Sequence, residues 1–254
     1  MTTLTFIGNG NMAKALIQGL KDSYKIEVIG RNKKTLEALK EQIPTISTKI
    51  LTKNENIEGK NIILCVKPNS IDDLSQNLTG IADELYSVLA GITIETLKDK
   101  IPAKLYIRTM PNLAAQYLKS MTTITGDIEL KAKALDIFNN IGSTLWVNSQ
   151  KELDIATCVA GSGPAYLALI AESLSDGAVQ AGLKRTDANI LVSGLFDGFA
   201  KLLNSTHPAT IKDNTMSPGG TTAAGYAAME QSGVRNGMIK AVQNAYEKAC
   251  QLGK

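Results

Sequence analysis

The sequence is poor in the residues that build disulfide scaffolds and metal centres. It contains three cysteines, Cys65, Cys158 and Cys250, and one histidine, His207. The cysteines lie far apart and form no C-x-x-C pair, which excludes a disulfide framework or a zinc knuckle and predicts reduced thiols in the cytoplasm. We therefore expect no metal. The histidine precedes Pro208, where we predict a loop, and we interpret it as structural rather than catalytic.

Charge of one sign and long apolar runs are also scarce. The 254 residues carry a net charge of +3 with a pI of about 8.6, which is too mild to indicate a nucleic-acid partner. No segment approaches the ~20 apolar residues of a membrane span, and the N-terminus has no basic-then-apolar signal. We expect neither a nucleic acid nor a membrane as partner.

The first stretch of the chain predicts a nucleotide site. Leu4–Ile7 is a short apolar strand, and Gly8-Asn9-Gly10-Asn11-Met12-Ala13 then fits the G-x-G-x-x-G/A pattern. Gly8 permits a sharp turn, Gly10 lets the backbone approach a pyrophosphate, and Ala13 lets the following helix pack closely on the strand. The helix N-terminus presents free N–H groups to phosphates. The alternative is a purely structural glycine turn.

The next turn predicts which nicotinamide cofactor is preferred. Lys25–Ile29 is a strand that ends in Gly30-Arg31-Asn32, where an NAD-binding unit usually carries an acidic residue. Arg31 offers a planar guanidinium that suits a 2′-phosphate. We expect NADPH to be preferred over NADH. The alternative is that these charges are simply solvated at the start of a helix, and this explanation suits the neighbouring Lys33 and Lys34.

Alternating strands and helices continue to about Trp146. Further strands are predicted at Thr45–Ile50, Asn61–Val66, Leu85–Ala90, Lys104–Thr109, Met121–Thr125 and Ser143–Val147, with helices at Thr35–Gln42, Ser70–Leu78 and from Asp127 to Asn139, and a short helix or loop at Asn54–Gly59. Three of the strands run into Lys67-Pro68, Ala90-Gly91 and Met110-Pro111-Asn112. Ligands of open α/β sheets bind at the carboxyl ends of strands, so we expect these turns to line the cofactor crevice.

The pattern becomes wholly helical from about residue 149. Helices are predicted at Pro164–Ala181, Asp187–Leu203, Thr221–Gln231 and Val234–Leu252. We therefore place a dinucleotide-binding domain at 1–148 and a helical domain at 149–254. The helical part is small and has few aromatic residues, only five in 149–254, which makes an independent core marginal. We expect it to dimerise; the alternative is that it packs only on its own sheet domain.

A second glycine-rich loop, DNTMSPGGTT from Asp213 to Thr222, leads into a helix. The backbone N–H groups of Gly219, Gly220 and Thr221 can form a nest for an anion, and Ser217, Thr221 and Thr222 add hydroxyl donors. The loop has room for a small carboxylate and too few cations for a ligand rich in phosphate. The alternative is an ordinary threonine-capped helix.

Together these segments resemble the pyrroline-5-carboxylate reductases over essentially the whole chain. The resemblance rests on Gly8–Ala13, Val66-Lys67-Pro68, Ala90-Gly91-Ile92, Arg108-Thr109-Met110-Pro111-Asn112, Gly161–Tyr166 (GSGPAY), His207-Pro208, Lys212-Asp213 and Ser217–Thr222. It implies NAD(P)H-dependent reduction of 1-pyrroline-5-carboxylate to L-proline. It also implies an α/β Rossmann-type N-terminal domain followed by an all-α C-terminal dimerisation domain, with homodimers often assembled into decamers.

The resemblance also implies roles for individual residues. The pyrophosphate would lie against Gly8, Asn9, Gly10, Asn11 and Met12, the 2′-phosphate against Arg31 and Asn32, the adenosine near Asn54, and the ribose and nicotinamide along Val66, Lys67, Pro68, Ala90, Gly91 and Asn112. The substrate carboxylate would be held by Ser217, Gly219, Gly220 and Thr221, and Thr222 would hydrogen-bond the ring nitrogen. We assign Lys67 to cofactor contact rather than proton donation.

The chain departs from the family in two places. The family usually continues Met-Pro-Asn with Thr-Pro, whereas this chain has Leu113-Ala114 and then Tyr117-Leu118-Lys119-Ser120, and Ala160 stands where serine is frequent. The loop on the nicotinamide side is therefore expected to differ in shape.

Reduction of a cyclic imine does not require a strong acid from the protein, because the imine can bind already protonated. A hydroxyl is a poor general acid at neutral pH, so we assign Thr222 as an orienting partner or proton relay for an imine that binds already protonated. Three alternatives stay open, and the first is a reductase that acts on a related cyclic imine. A 3-hydroxyacid dehydrogenase would need a lysine that Pro164–Ala181 lacks, and a non-catalytic NADP-binding regulator would not need the second loop.

Overall fold

The computed structural model describes residues 1–252. They form two compact units, which we describe separately. The first comprises residues 1–162 together with the chain from Asn244 onward, and the second comprises Gly163–Gln243.

The first unit is built on an eight-stranded sheet in the order β10-β9-β8-β7-β5-β1-β2-β3. The strands of this sheet are β1 (Thr3–Ile7), β2 (Lys25–Gly30), β3 (Ser47–Ile50), β5 (Asn61–Leu64), β7 (Ala82–Ser87), β8 (Ala103–Met110), β9 (Ser120–Gly126) and β10 (Gly142–Trp146). Neighbours from β3 to β8 pair in parallel, β9 runs antiparallel to β8, and β10 is parallel to β9. The carboxyl ends of the parallel strands therefore share one edge, as predicted.

Both faces of this sheet are covered. Helices α1 (Asn11–Leu20), α2 (Lys33–Gln42) and α5 (Lys131–Asn139) bury one apolar cluster, and α3 (Ile71–Ser75) and α4 (Ile94–Lys100) bury the other. In β5, Ile63 faces the first cluster while Ile62 and Leu64 face the second. A strand buried on both faces has this continuous apolar composition.

Four predicted segments in the first unit need correction. The segment Asn54–Gly59, predicted as a short helix or loop, contains a two-residue strand β4 (Glu55–Asn56), which pairs with β6 (Leu78–Thr79). The helix predicted at Ser70–Leu78 is shorter than expected, because it consists of a 3-10 turn followed by α3 and its last predicted residue belongs to β6. Strand β7 begins and ends three residues earlier than predicted, because Ala82 already pairs with β8 and pairing with both neighbours ends at Ser87.

The last correction concerns the helix that was predicted from Asp127 to Asn139. Helix α5 begins only at Lys131, after a 3-10 turn at Ile128–Leu130. The Asp127 carboxylate instead accepts a hydrogen bond from the Tyr106 backbone N–H at 2.7 Å. It thus ties the start of this segment to β8.

The expectation that no segment could span a membrane by length and composition is also wrong. Helix α6 (Gln150–Ala156) continues through a π-helical turn (Thr157–Gly161) into α7 (Gly163–Gln180). This 31-residue helical run has a window with mean hydropathy 1.4, long and apolar enough to cross a membrane. The sequence did not predict this run because Gly161, Gly163 and Pro164 suggest a break. Pro164 is the second residue of α7, shortly after the π-helical turn, and a helix tolerates proline in its first turn.

The second unit contains α7, α8 (Arg185–Leu203), α9 (Pro208–Thr215), α10 (Thr221–Gln231) and the first part of α11 (Val234–Leu252). Its only buried residues among those described are Ser175 and Ala188. The predicted loop at His207-Pro208 is wrong: His207 caps α9, its Nδ1 accepting from the Ala209 N–H at 3.3 Å, and Pro208 occupies the first helical position. The histidine thus has a structural role.

Candidate active site

A cavity of about 510 Å³ lies at the carboxyl ends of β1, β2 and β5. Seven residues predicted to bind the cofactor line it: Gly8, Asn9, Gly10, Arg31, Asn32, Val66 and Lys67. They come from three turns that are distant in sequence and adjacent in the sheet order. The structure therefore brings the glycine turn and the Arg31-Asn32 turn to one cavity.

The two glycines of the first turn have different physical roles. Gly8 has φ +108°, its N–H donates to Ile29 O at 2.8 Å, and a Cβ built on it would lie 2.5 Å from Cys65 O. The turn therefore passes too close to the end of β5 for any side chain. No described atom lies within 4 Å of a Cβ built on Gly10, so this glycine keeps space open on the cavity side.

Helix α1 begins at this open space. Gly10 is its N-cap residue and supplies no side-chain hydrogen bond. The first-turn N–H groups of a helix have no partner within the helix, and a phosphate binds readily to such an uncapped N-terminus.

The Arg31-Asn32 turn supplies donors and no carboxylate. Arg31 and Asn32 are both exposed at the cavity. Asn32 is the N-cap of α2, and its Oδ1 accepts from the Thr35 N–H at 3.2 Å. Its Nδ2 group is then the part of the side chain that can donate to a ligand.

The cavity extends along residues that carry no motif. Its remaining lining comes from β-strand ends and from the segment at and after α3: Ile7, Ile29, Gly30, Leu51, Cys65, Ser70, Asp73, Leu74, Gln76 and Asn77. For Ser70, Asp73, Leu74, Gln76 and Asn77, the only indication in the sequence was their position just after the carboxyl end of β5. Burial raises the pKa of the Cys65 thiol, so this cysteine stays protonated and is not a nucleophile.

Other predicted cofactor residues do not line this cavity: Asn11, Met12, Asn54, Pro68, Ala90, Gly91 and Asn112. Asn112 is held within the protein, because its Nδ2 donates to Ala160 O at 2.9 Å and its Oδ1 accepts from the Ala114 N–H at 3.0 Å. It thus connects the end of β8 to the π-helical turn. Asn54 has φ +57° and stands immediately before β4.

The segment that departs from the family pattern is an ordered turn. Leu113–Tyr117 is a 3-10 helix that ends at Leu118 in the left-handed conformation, with φ +57°. The side chains of Leu113, Tyr117 and Leu118 are exposed. The loop beside Asn112 therefore has a defined shape with an apolar surface.

An ion pair near this loop was not predicted. Arg108 on β8 is 1% exposed, and it contacts Asp154 Oδ1 at 2.8 Å and Gln150 Oε1 at 3.2 Å, both on α6. Gln150 Oε1 also accepts from the Ile94 N–H at the start of α4, at 2.8 Å. Among the described residues, Arg108 Nε and Thr109 Oγ1 are buried without a partner. The pair fixes α6 to the sheet behind the Asn112 loop.

The second glycine loop lies in the second unit and forms another uncapped helix start. Gly219 has φ +71°, and the Gly220 N–H donates to Ser217 O at 3.0 Å. Gly220 is the N-cap of α10 without a side-chain cap, and Ser217, Thr221 and Thr222 are exposed. The arrangement presents N–H and hydroxyl donors together, which suits a small carboxylate.

One cation stands close to this loop. Lys212 Nζ lies 2.8 Å from Asp213 Oδ1 and 5.7 Å from the centre of the Tyr226 ring. The hydrogen bond to Asp213 raises the pKa of Lys212, so this lysine is charged at neutral pH. Across residues 1–252, no group of three or more His, Cys, Asp or Glu side chains is arranged to hold a metal ion.

Comparison with known protein families gives one match in the N-terminal part of the chain and another in the C-terminal part. Residues 150–252 match the family described as pyrroline-5-carboxylate reductase dimerisation, and residues 3–90 match the family described as NADP oxidoreductase, coenzyme F420-dependent.

Curated relatives match nearly the full length. The pyrroline-5-carboxylate reductase of Helicobacter pylori is 32% identical over 98% of this chain and 99% of its own, and that of Synechocystis is 40% identical over 79% of each. Among solved structures, the Streptococcus pyogenes 1-pyrroline-5-carboxylate reductase superposes with a TM-score of 0.86 at 29% identity, covering 98% of both chains. The Plasmodium falciparum pyrroline carboxylate reductase with NADP bound gives a TM-score of 0.83 at 26% identity, over 100% of this chain and 98% of its own.

Proposed function

Because the chain belongs to the pyrroline-5-carboxylate reductase family, we propose specific roles for its two glycine turns in the family's reaction. The activity is the NAD(P)H-dependent reduction of 1-pyrroline-5-carboxylate to L-proline, the last step of proline biosynthesis. We propose that the cavity at Gly8–Gly10 binds the cofactor and that the Ser217–Thr222 loop binds the substrate. The observation that carries both assignments is that each turn leads into a helix N-terminus without a side-chain cap.

The proposed chemistry places little demand on protein acids. The bound nicotinamide supplies the hydride, which adds to the carbon of the C=N bond. The substrate carboxylate takes the N–H groups of Gly219–Thr221 and the Ser217 hydroxyl, and Thr222 hydrogen-bonds the ring nitrogen. Since a hydroxyl is a weak acid, the protein acts chiefly by orienting an imine that is already protonated.

We also propose that NADPH is preferred over NADH. Arg31 and Asn32 line the cavity, and the turn from Gly30 to Thr35 contains no acidic residue. A guanidinium and an amide can both donate to a 2′-phosphate. A carboxylate at this turn would instead favour a free 2′-hydroxyl.

The helical part is proposed to form a homodimer, with assembly into decamers as a further prediction. Large apolar side chains of the second unit are exposed, among them Leu191, Leu195 and Phe199. A contiguous apolar surface of this kind marks an interaction site, and we assign the apolar run at 150–180 to the subunit interface rather than to a membrane. The boundary at 148/149 and the cytoplasmic location stay predictions.

The reaction is tested by the loss of NADPH absorbance, and separately of NADH absorbance, when 1-pyrroline-5-carboxylate is added to the purified chain. We expect oxidation with both cofactors and faster oxidation with NADPH at limiting concentration. Cofactor binding without oxidation would favour the regulator, and oxidation with a 3-hydroxyacid or its keto form instead would favour the dehydrogenase.

The role of Thr222 is tested by Thr222→Ala, with Thr222→Ser as the variant that keeps the hydroxyl. We expect Thr222→Ala to lower kcat about a hundredfold, because the protonated imine loses the hydrogen bond that orients it for hydride transfer, with the Kd for NADPH unchanged. Thr210→Ala, at an exposed threonine of α9, is the matched control. Unchanged turnover in Thr222→Ala would remove the proposed role.

A further inference from the structure

The two turns that line the cofactor cavity are joined by a side-chain bridge. Asn9, the second residue of the glycine turn, donates from Nδ2 to Thr35 Oγ1 on α2 at 2.7 Å. The Asn9 side chain also lies over Gly30, since a Cβ built on Gly30 would be 3.1 Å from Asn9 Oδ1. Asn9 is thus packed against the strand end and fixed by a second residue across the turn.

Thr35 is the centre of this bridge. Its hydroxyl accepts from Asn9 and donates to Asn32 O at 3.0 Å, and its backbone N–H donates to Asn32 Oδ1 at 3.2 Å. A hydroxyl has one donor and two acceptor sites, so one Oγ1 satisfies both side-chain contacts. Thr35 does not line the cavity, and it acts on a ligand only through its partners.

We propose that Thr35 is a positioning residue that strengthens NADPH binding relative to NADH binding, by holding the Arg31-Asn32 turn against the glycine turn. This inference rests on the proposed cofactor site. The bridge fixes the Asn32 backbone and side chain, and therefore the turn that presents Arg31 and the Asn32 Nδ2 group. Groups held in the bound geometry before binding lose less conformational entropy when a ligand arrives.

The bridge can be separated from the helix cap. The cap uses the Thr35 backbone N–H, which Thr35→Val retains, whereas both side-chain hydrogen bonds need the hydroxyl. Valine has nearly the shape of threonine and a similar helix propensity, and Thr35 is exposed. The variant therefore removes the bridge and leaves the fold and the cap in place.

The test measures the Kd of NADPH and of NADH by fluorescence titration of the full chain without substrate. Because one or two hydrogen bonds of ordinary strength are lost, we expect Thr35→Val to raise the Kd for NADPH about fivefold and that for NADH less than about twofold. Thr35→Ser keeps the hydroxyl and should restore the wild-type ratio. Thr45→Val, at an exposed threonine that is not among the residues lining the cavity, is the matched control.

A double variant identifies the partner. If the effect of Thr35 passes partly through Asn9, Thr35→Val should cost less in an Asn9→Ala background than in the wild type, because neighbours in one network are not additive. The proposal would be overturned if Thr35→Val weakened the binding of both cofactors equally or of neither. It would also be overturned if the effects of Thr35→Val and Asn9→Ala on the free energy of NADPH binding were strictly additive. Since binding is measured without substrate, a failed turnover assay would count against the proposed function and not against this bridge.

Discussion

The two units of this chain contain similar residues and bury them very differently. The first unit closes two apolar clusters over the faces of one sheet, and Phe6, Leu16, Ile63 and Leu85 are completely buried there. The second unit exposes most of its large apolar side chains, including Leu169 and Ile190. The first unit holds its core within one chain, whereas the second leaves large apolar side chains exposed, as is expected of a dimerisation domain.

The proposed cofactor site and the proposed substrate loop differ in the same way, because they lie in different units. The proposed cofactor turns follow paired strands of the sheet, and a Cβ built on Gly8 would lie 2.5 Å from Cys65 O at the end of β5, so neighbouring backbone confines them. The substrate loop stands on helices whose outer faces are exposed. We therefore expect its geometry to depend on dimerisation, so that changes at the apolar faces affect turnover from a distance.

The largest effect is expected from a charge on the apolar face of α8. Leu195 is 56% exposed, so Leu195→Asp would be harmless if this face met water. If the face is a subunit interface, burying the carboxylate without a partner costs at least about 3 kcal/mol, or more than a hundredfold in the dimer dissociation constant. Light scattering after gel filtration should then show monomers, with turnover lost.

Lys201→Ala on the same helix is the matched control, since Lys201 is exposed and pairs with Asp197 one turn away. It should leave the mass unchanged. A Leu195→Asp protein that keeps the mass and activity of the wild type would contradict the contrast between the units.

The next effect concerns the buried ion pair of the first unit. Asp154→Ala leaves the buried Arg108 guanidinium without its carboxylate partner, and breaking such a pair costs about 3–5 kcal/mol. Urea denaturation should show this as a lower transition midpoint. Asp72→Ala removes the partner of an exposed lysine, Lys100, and should leave the midpoint where it is, because exposed pairs contribute little. Equal midpoints for Asp154→Ala and the wild type would mean that the pair is not buried in solution.

Features encoded locally were predictable from the sequence. Short-range patterns of glycine and apolar residues predicted the Gly8–Ala13 turn, the apolar strands β1 and β5, and helix α1.

A local pattern can also mislead. Pro208 was predicted to lie at the start of a loop, whereas it occupies the first position of helix α9, directly after the capping side chain of His207.

Features that depend on distant residues were missed. The pairing of β4 with β6 involves only two residues on each side, and their sequences carry no strand periodicity. Arg108 and Asp154 are separated by 46 positions, so no local pattern links them. The same holds for the cavity lining after α3, whose residues are brought to the cofactor site only by the order of the strands.

A smaller effect separates the two glycines of the first turn. Gly8→Ala forces a side chain into φ +108° and against Cys65 O, and such strain costs about 1–3 kcal/mol, so the melting temperature should fall. Gly10 has φ −72° and an unobstructed Cβ position, so Gly10→Ala should melt like the wild type and lose NADPH affinity. Calorimetry with a cofactor titration checks both, and unchanged affinity in Gly10→Ala would remove that residue from the pyrophosphate site.

The smallest effect is expected at the rim of the cofactor cavity, where the proposed selectivity resides. Arg31 is exposed, so its contact with a 2′-phosphate is partly screened, and Arg31→Ala should raise the Kd for NADPH about tenfold, as for one charge-assisted hydrogen bond. NADH has no 2′-phosphate, so its Kd should change less than about twofold. Lys34→Ala, at an exposed lysine that is not among the residues lining the cavity, should change neither constant appreciably. Parallel titrations decide the point: equal losses for both cofactors in Arg31→Ala would show that Arg31 supports the turn as a whole and that discrimination at the 2′ position comes from another residue.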